Sequence, residues 1–261
     1  MPIVLMLSLV LSCTLFSSVG FAQKNDTLLV DPSVLKTQYL KPGTSRYLVY
    51  FKMKPDAPRS YLQIWNRTIS RSTYNGNEVF TINQVWEDKD SIVHTALSHS
   101  DARTFQTLYH QSWWAKRGEA VYDFDKQTAS VNTYSLSDAD TALQMKTLWQ
   151  SFKSAWGQYS LNWHADLEVF SLLPYREGVT FLIPFYESGY DQPRPIPYTV
   201  TGKADLTGYN NQKIACWLLT HETKGNKEVF WVSQQTQEVL KLEQVLNGTR
   251  YRYKIKLGFS E

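Results

Sequence analysis

Cysteine is scarce. The 261-residue chain has two, Cys13 and Cys216, and the first lies in a segment that reads as removable. A chain left with Cys216 alone cannot form an internal disulfide, even in a compartment that permits one. Its stability must then come from a packed core. Cys216 sits in the apolar run 214–219 and reads as a buried strand thiol, not a nucleophile. An excess of either charge is also missing. The 27 Lys and Arg against 24 Asp and Glu leave a net +3, whereas a dedicated nucleic-acid binder is expected to be far more basic. The sequence contains no Gly-rich phosphate loop, serine nucleophile elbow, paired Cys-x-x-Cys or His-Glu-x-x-His. No metal and no cofactor is expected.

The first 22 residues lack any charged side chain. The nearly apolar run 3–11 leads into small residues and then into a polar stretch from Gln23. Gly20 and Ala22 fill the small positions that signal peptidase reads, so residues 1–22 are expected to be a signal peptide cleaved after Ala22. Lys and Arg, usual at the start of such a signal, are absent. Two other outcomes compete. An uncleaved anchor needs about 20 apolar residues, which this stretch barely supplies. A lipoprotein acylated at Cys13 would have Val10-Leu11-Ser12 as a poor lipobox. The expectation is an exported protein of the periplasm or envelope of a Gram-negative bacterium, with no transmembrane span after cleavage.

Aromatics are plentiful: 9 Trp, 16 Tyr and 12 Phe. They fall mostly in short alternating runs, as strands prefer. Residues 23–45 form a leader with few structural cues. From there, strands are predicted at 46–53, 60–72, 78–86, 91–97, 102–110, 120–124 and 130–135, with Asn75-Gly76 as a hairpin signal. A second set follows at 179–186, 196–206, 213–220, 228–233, 238–246 and 250–257. Between the sets, 138–152 has no Gly or Pro and is a plausible helix. Residues 162–173 carry a clearer apolar stripe, Trp163, Leu167, Phe170 and Leu173, with Asn162 as cap and Pro174 as stop. Pro193, Pro195 and Pro197 predict a stiff extended loop over 187–197. The sum is a mostly β (α+β) chain. Residues 46–261 are expected to form one domain, a large curved antiparallel sheet or incomplete β-barrel with helices packed on its concave side.

Candidate sites follow from parity and spacing. In the last strand Arg250, Arg252, Lys254 and Lys256 alternate with apolar residues, so they share one face. They could meet an anionic surface; the plainer reading is a solvated face. Trp65, Trp86, Trp163, Phe170, Trp217 and Trp231 could line a ligand cavity, although strand aromatics are more often core. His164 and Glu168, four apart, would share a helix face as a proton relay or metal pair. The plainer reading is a capped helix with acidic residues at its positive end. His94 and His99 have opposite parity and should face opposite sides of their strand. With His110 they make a weak metal candidate.

Residues 166–178, 198–204, 216–219 (with Trp217) and 229–241 (with Trp231 and Ser233), within the strand–helix–strand layout of 47–257, resemble exported bacterial families related to the domain of unknown function 3108. Such families look like relatives of the LolA and LolB lipoprotein carriers, in which helices cover the mouth of an incomplete barrel. The resemblance implies a greasy cavity and a binding or carrier role, with no catalytic residue. The first expectation is therefore a non-catalytic envelope protein that shelters an apolar, lipid-like ligand. A structural protein that docks an envelope protein partner is the second. A hydrolase of envelope polymer using Asp166, Glu168 or Glu177 is the third; it would need two carboxyls about 5 Å apart or somewhat more.

Overall fold

A computed structural model describes residues 26–189 and 191–258. The expectations for residues 1–22, cleavage after Ala22 and acylation at Cys13, lie outside the described residues. So does most of the short stretch before Thr27.

The chain is mostly β, and its strands form one large sheet. In chain order they are β1 (Thr27–Leu29), β2 (Gly43–Lys52), β3 (Ser60–Tyr74), β4 (Asn77–Asp88), β5 (Ser91–Asp101), β6 (Thr107–Trp114), β7 (Gly118–Asp123), β8 (Thr128–Val131), β9 (Tyr134–Ser135), β10 (Leu161–Asn162), β11 (Thr180–Tyr186), β12 (Arg194–Thr207), β13 (Lys213–Thr223), β14 (Asn226–Ser233), β15 (Val239–Leu246) and β16 (Arg250–Leu257). The spatial order is β1-β11-β12-β13-β14-β15-β16-β2-β3-β4-β5-β6-β7-β8-β9, with β10 also on β11. All pairings are antiparallel except those of β1 and β10 with β11, so the sheet is mixed. β16, the last of the described strands, lies between β15 and β2 and joins the two halves.

The sheet curls. From β11 to β6 there are ten strand-to-strand steps, which laid flat would span roughly 48 Å at about 4.8 Å each. Yet the segment entering β10, itself paired with β11, touches β5 and β6. Thr107 N donates to Ser160 O at 3.2 Å, and Asn162 Nδ2 donates to Ser98 Oγ at 3.0 Å. No ladder is formed between β6 and β10 among the described residues, so the curl does not close into a barrel. Its inner face holds the main core, in which Phe80, Ile82, Phe170, Phe181, Ile183, Tyr198, Leu219 and Phe230 are buried.

Among the described residues two α-helices complete the fold. α2 (Asp166–Ser171), entered through a 3-10 turn at Trp163–Ala165, lies inside the curl. The expected single helix over 162–173 is thus two pieces, a 3-10 turn and a short α-helix. Asn162 caps the first by accepting from His164 N at 2.8 Å. α1 (Leu143–Ser154) packs Trp149 and Phe152 over Tyr122 and Ala129 in a smaller cluster. It begins later than the composition of 138–152 suggests, because Asp140 accepts from Ser137 N at 2.7 Å and holds the preceding residues in a turn.

Other expectations shift for local reasons. The strand predicted over 102–110 starts only at Thr107. Asp101 Oδ1 accepts from the backbone of Arg103 and Thr104 at 3.0 and 2.8 Å, so 101–106 is a side-chain-capped turn. The leader is not loose: Val30, Val34, Leu35 and Leu40 are in the main core. The proline loop is partly strand. Pro195 and Pro197 belong to β12 and pair with Pro184 and Leu182 of β11. The β13 ladder on the other side begins only at Thr199, so the missing N–H groups fall where β12 has no second ladder.

Candidate functional site

The basic stripe of β16 faces inward. Lys254 pairs across with Leu242 and Val49, and Lys256 with Tyr47, all core side chains. Lys254 and Lys256 are only 3% and 7% exposed. The solvated, anion-meeting surface expected for these residues therefore gives way to a charged interior. Period two separates basic from apolar residues correctly but does not say which set faces in. Here the outward set contains Tyr253, stacked on Tyr50 at 5.0 Å.

Carboxylates from inside the curl meet these cations. Arg67 of β3 is the centre. Its Nε donates to Glu168 Oε1 at 3.0 Å, and its Nη2 donates to Glu168 Oε2 and, at 2.8 Å, to His164 O. Its Nη1 donates to Gln84 Oε1 at 3.1 Å, and Asp166 lies 3.6 Å away. Burial alone would lower the Arg67 pKa; Glu168 and Asp166 outweigh it and hold the guanidinium charged. Lys254 reaches Asp166 at 4.0 Å and sits 4.6 Å over the Trp65 ring. Burial brings the Lys254 ammonium down to about 8 against the pull of Asp166. Lys256 pairs with Glu238. Farther along the strand Arg252 faces Gln244 across the ladder, and Gln244 donates to Glu228.

Two of these ion pairs border open space. A cavity of about 450 Å³ lies at the end of the sheet formed by residues 39–45, 236–239 and 256–258. Arg67, Glu168, Glu238, Lys256 and Tyr47 give it charge and hydrogen-bonding capacity; Leu40, Ile69, Leu167 and Val239 give it apolar wall. Tyr47 OH donates to Val239 O at 3.1 Å, and burial raises its pKa, so it stays a neutral phenol.

A second cavity, about 310 Å³, lies towards the opposite end, with His110 and His164 on its wall beside Trp114 and Glu187. The imidazoles form a cluster: His110 and His164 rings are 4.6 Å apart, and His164 and His94 rings 5.3 Å. His94 Nδ1 donates to Trp113 O at 2.9 Å, while its buried Nε2 has no partner. Ser98 Oγ accepts from Asn162 and shares a hydrogen bond of 3.0 Å with His110 Nδ1. Burial lowers all three pKa values, His94 to about 4 and His164 to about 3. The cluster is neutral at pH 7. Among the described residues no group of three His, Cys, Asp or Glu is arranged to hold a metal ion.

The chain matches the DUF3108 family, described as a protein of unknown function, over residues 23–256. It belongs to that family. No curated protein matches the chain.

Parity was a sound guide to this DUF3108 chain in some places. His94 points inward, while His99 faces out to Thr81, 2.9 Å away. The ring of His164 turns towards the other histidines while Glu168 holds Arg67, so the two do not form a pair. Glu177 is at the surface, 3.2 Å from Lys203 and away from Asp166 and Glu168. The six aromatic residues chosen as cavity lining line neither cavity. Trp65 stacks on Trp86 at 3.6 Å, Trp163 packs on Phe185, and Phe170 packs on Tyr198 and Phe230. Trp217 lies beside Tyr175 and beneath Lys203. Trp231 is on the outer face, beneath Lys241 and bonded to Glu243. Arg67, Tyr47 and Glu238 were missed. For Arg67 a signal existed: it has the parity of Trp65 and Ile69, so a core reading of those two carries the guanidinium inside.

Proposed function

We propose that this DUF3108 protein is an exported, non-catalytic binding protein of the cell envelope. Its ligand is a small amphiphile, lipid-like, whose ionised or polar head sits in the 450 Å³ cavity against Lys256, Glu238 and Arg67. One observation carries this reading: buried charged side chains line an open cavity in place of solid core. A buried ion pair is a poor source of stability, because desolvating both charges offsets most of their attraction. A cavity of this size, with a few convergent polar groups on apolar walls, has the form of a small-molecule site. The apolar wall of Leu40, Ile69, Leu167 and Val239 suits a short hydrocarbon segment, and much of the curl behind it is filled by α2 and the aromatic core around Phe170. That fill favours a ligand held at the mouth over an acyl chain swallowed whole. The resemblance to LolA- and LolB-type carriers supports a binding role but not lipoprotein cargo.

Native mass spectrometry of protein purified from the envelope, followed by solvent extraction, tests the proposal. The expected result is a discrete adduct that extracts as an amphiphile and is lost from a Lys256→Gln/Glu238→Gln chain, in which both charges are removed together. A bare chain mass, together with no thermal shift on titration with fatty acids, lysophospholipids or phospholipids, would overturn it.

A further inference from the structure

The cavity end of the sheet is one of two. At the other end lie the turns β2–β3, β4–β5, β6–β7, β13–β14 and β15–β16, as the register of each hairpin requires. The β2–β3 hairpin projects three large apolar side chains there: Met53, Tyr61 and Leu62 are 59%, 64% and 49% exposed. Two of them are consecutive, which alternation in a strand does not allow. The backbone explains it. Tyr61 has φ 51°, a left-handed conformation that bulky side chains rarely adopt, and the pairing with β2 is irregular between Val49 and Phe51. The turn thus places Tyr61 and Leu62 both towards solvent.

This exposure is built, not slack. The Tyr61 ring meets Phe51 edge-on at 6.3 Å, and the Arg250 guanidinium lies 4.0 Å over Phe51 and 5.7 Å from Tyr61. A strained backbone held by packing beneath is a pattern found where a surface is used. The hairpin also carries Lys52, Lys54 and Arg59 against one acid, Asp56. Exposed apolar tips inside a basic collar are suited to the headgroup–acyl boundary, where the tips enter hydrocarbon and the lysine stems extend towards phosphates.

We propose that the β2–β3 hairpin is a membrane-contact device that inserts Met53, Tyr61 and Leu62 into an anionic lipid surface. A rigid protein partner fits the observations less well. A stable protein interface removes about 800 Å² from each side, and a projecting tip with three large apolar side chains offers much less, while a bilayer accepts a protrusion of any outline. The device is at the opposite end from the cavity, and it does not depend on the ligand proposed there. With the hairpin seated, the cavity mouth faces away from that membrane.

Sedimentation of the whole protein with vesicles of phosphatidylglycerol and phosphatidylethanolamine, and separately with phosphatidylcholine vesicles, tests this. The comparison is between variants of one chain, so any contribution of the amino terminus cancels. The expected result is stronger binding to the anionic vesicles. Partition should fall at least tenfold in Met53→Ser/Leu62→Ser, and Lys54→Glu/Arg59→Glu should lose the anionic preference. Tyr61→Gly provides a second route: it removes the ring and relieves the positive φ, so it should fold at least as well while binding less. The proposal fails if the wild-type chain ignores both vesicle types, or if the serine variant, with an unchanged near-ultraviolet dichroism spectrum, binds as well as wild type. A wild-type dimer that the serine variant converts to monomer, without vesicle binding, would assign the tip to a second copy and overturn the membrane reading.

Discussion

Lowering the pH from 7.5 to 5 should destabilise the fold through the imidazole cluster. His94 is fully buried, its Nδ1 proton committed to Trp113 O and its Nε2 without a partner. Burial holds its pKa at about 4 in the folded chain, against an ordinary 6.5. A depressed folded pKa means that protons bind the unfolded chain first. The stability is complete above pH 6.5 and is lost as pH falls towards 4. At pH 5 the deficit from His94 is about 2 kcal/mol, one and a half pH units at 1.4 kcal/mol each. His164, held at about 3 by burial and then by His94, adds to it, less than its own shift suggests because part of the residue is exposed and the two titrate together. Facing groups temper the effect. Asp166 favours a charged His164, whereas Arg67 and Lys254 oppose it. Glu187 and Glu228, raised by burial, act with the opposite sign. The expected net loss is about 2–4 kcal/mol. Urea unfolding followed by tryptophan fluorescence at the two pH values measures it. His94→Asn keeps a donor for Trp113 O and removes the titration. It should cost about 1–3 kcal/mol at pH 7.5 through lost ring packing on Trp86 and Trp114, while flattening the pH response by about 2 kcal/mol. Equal wild-type stability at both pH values, or a His94→Asn chain with the full wild-type response, would refute the reasoning.

Two further outcomes are expected. Arg67→Met leaves the Glu168 carboxylate buried without its partner, and should cost about 3–5 kcal/mol in urea unfolding. Adding Glu168→Gln should then recover at least about 1 kcal/mol, and strictly additive losses would show that the pair is not coupled. Cys216 is buried, and burial raises its thiol to about 11. In a Cys13→Ser chain it should resist iodoacetamide at pH 8 until denaturant is added, and rapid labelling of the native protein would contradict its place in the core.

Much of the sheet was legible because alternation and turn chemistry are local. β3, β4 and their Asn75-Gly76 connection, and β13 to β16, lie within a few residues of where hydrophobic period and turn residues put them. What failed was decided by tertiary contacts. Leu35 and Leu40 look like part of a leader with few structural cues until the folded chain takes them into the main core. Asp101 and Asp140 end a strand and delay a helix through side-chain bonds that hydrophobic period does not register. The candidate site was half legible. Period two grouped Arg250, Arg252, Lys254 and Lys256 on one face, but a strand has two faces. The choice of Lys254 for the interior depends on Asp166, 88 residues away in the chain. A rule that charge faces water has no access to that partner. The aromatic residues erred in the other direction: Trp65 and Trp86 satisfy each other and leave no lining to offer.

The position of β16 carries a consequence for how the molecule is made. It is the last of the described strands, yet it lies in the middle of the sheet, between β15 and β2. A ribosome delivers the chain from its amino terminus, so the facing edges of β2 and β15 emerge before β16 and wait with open ladders. Until residues 250–257 arrive, the nascent protein is two half-sheets with two exposed seams, the geometry that invites pairing with the wrong chain. The strand that fills the gap also brings the cations that neutralise Asp166 and Glu238. Closure of the seam and charge balance of the interior are therefore one late event, and a chain stopped short of residue 250 forfeits both.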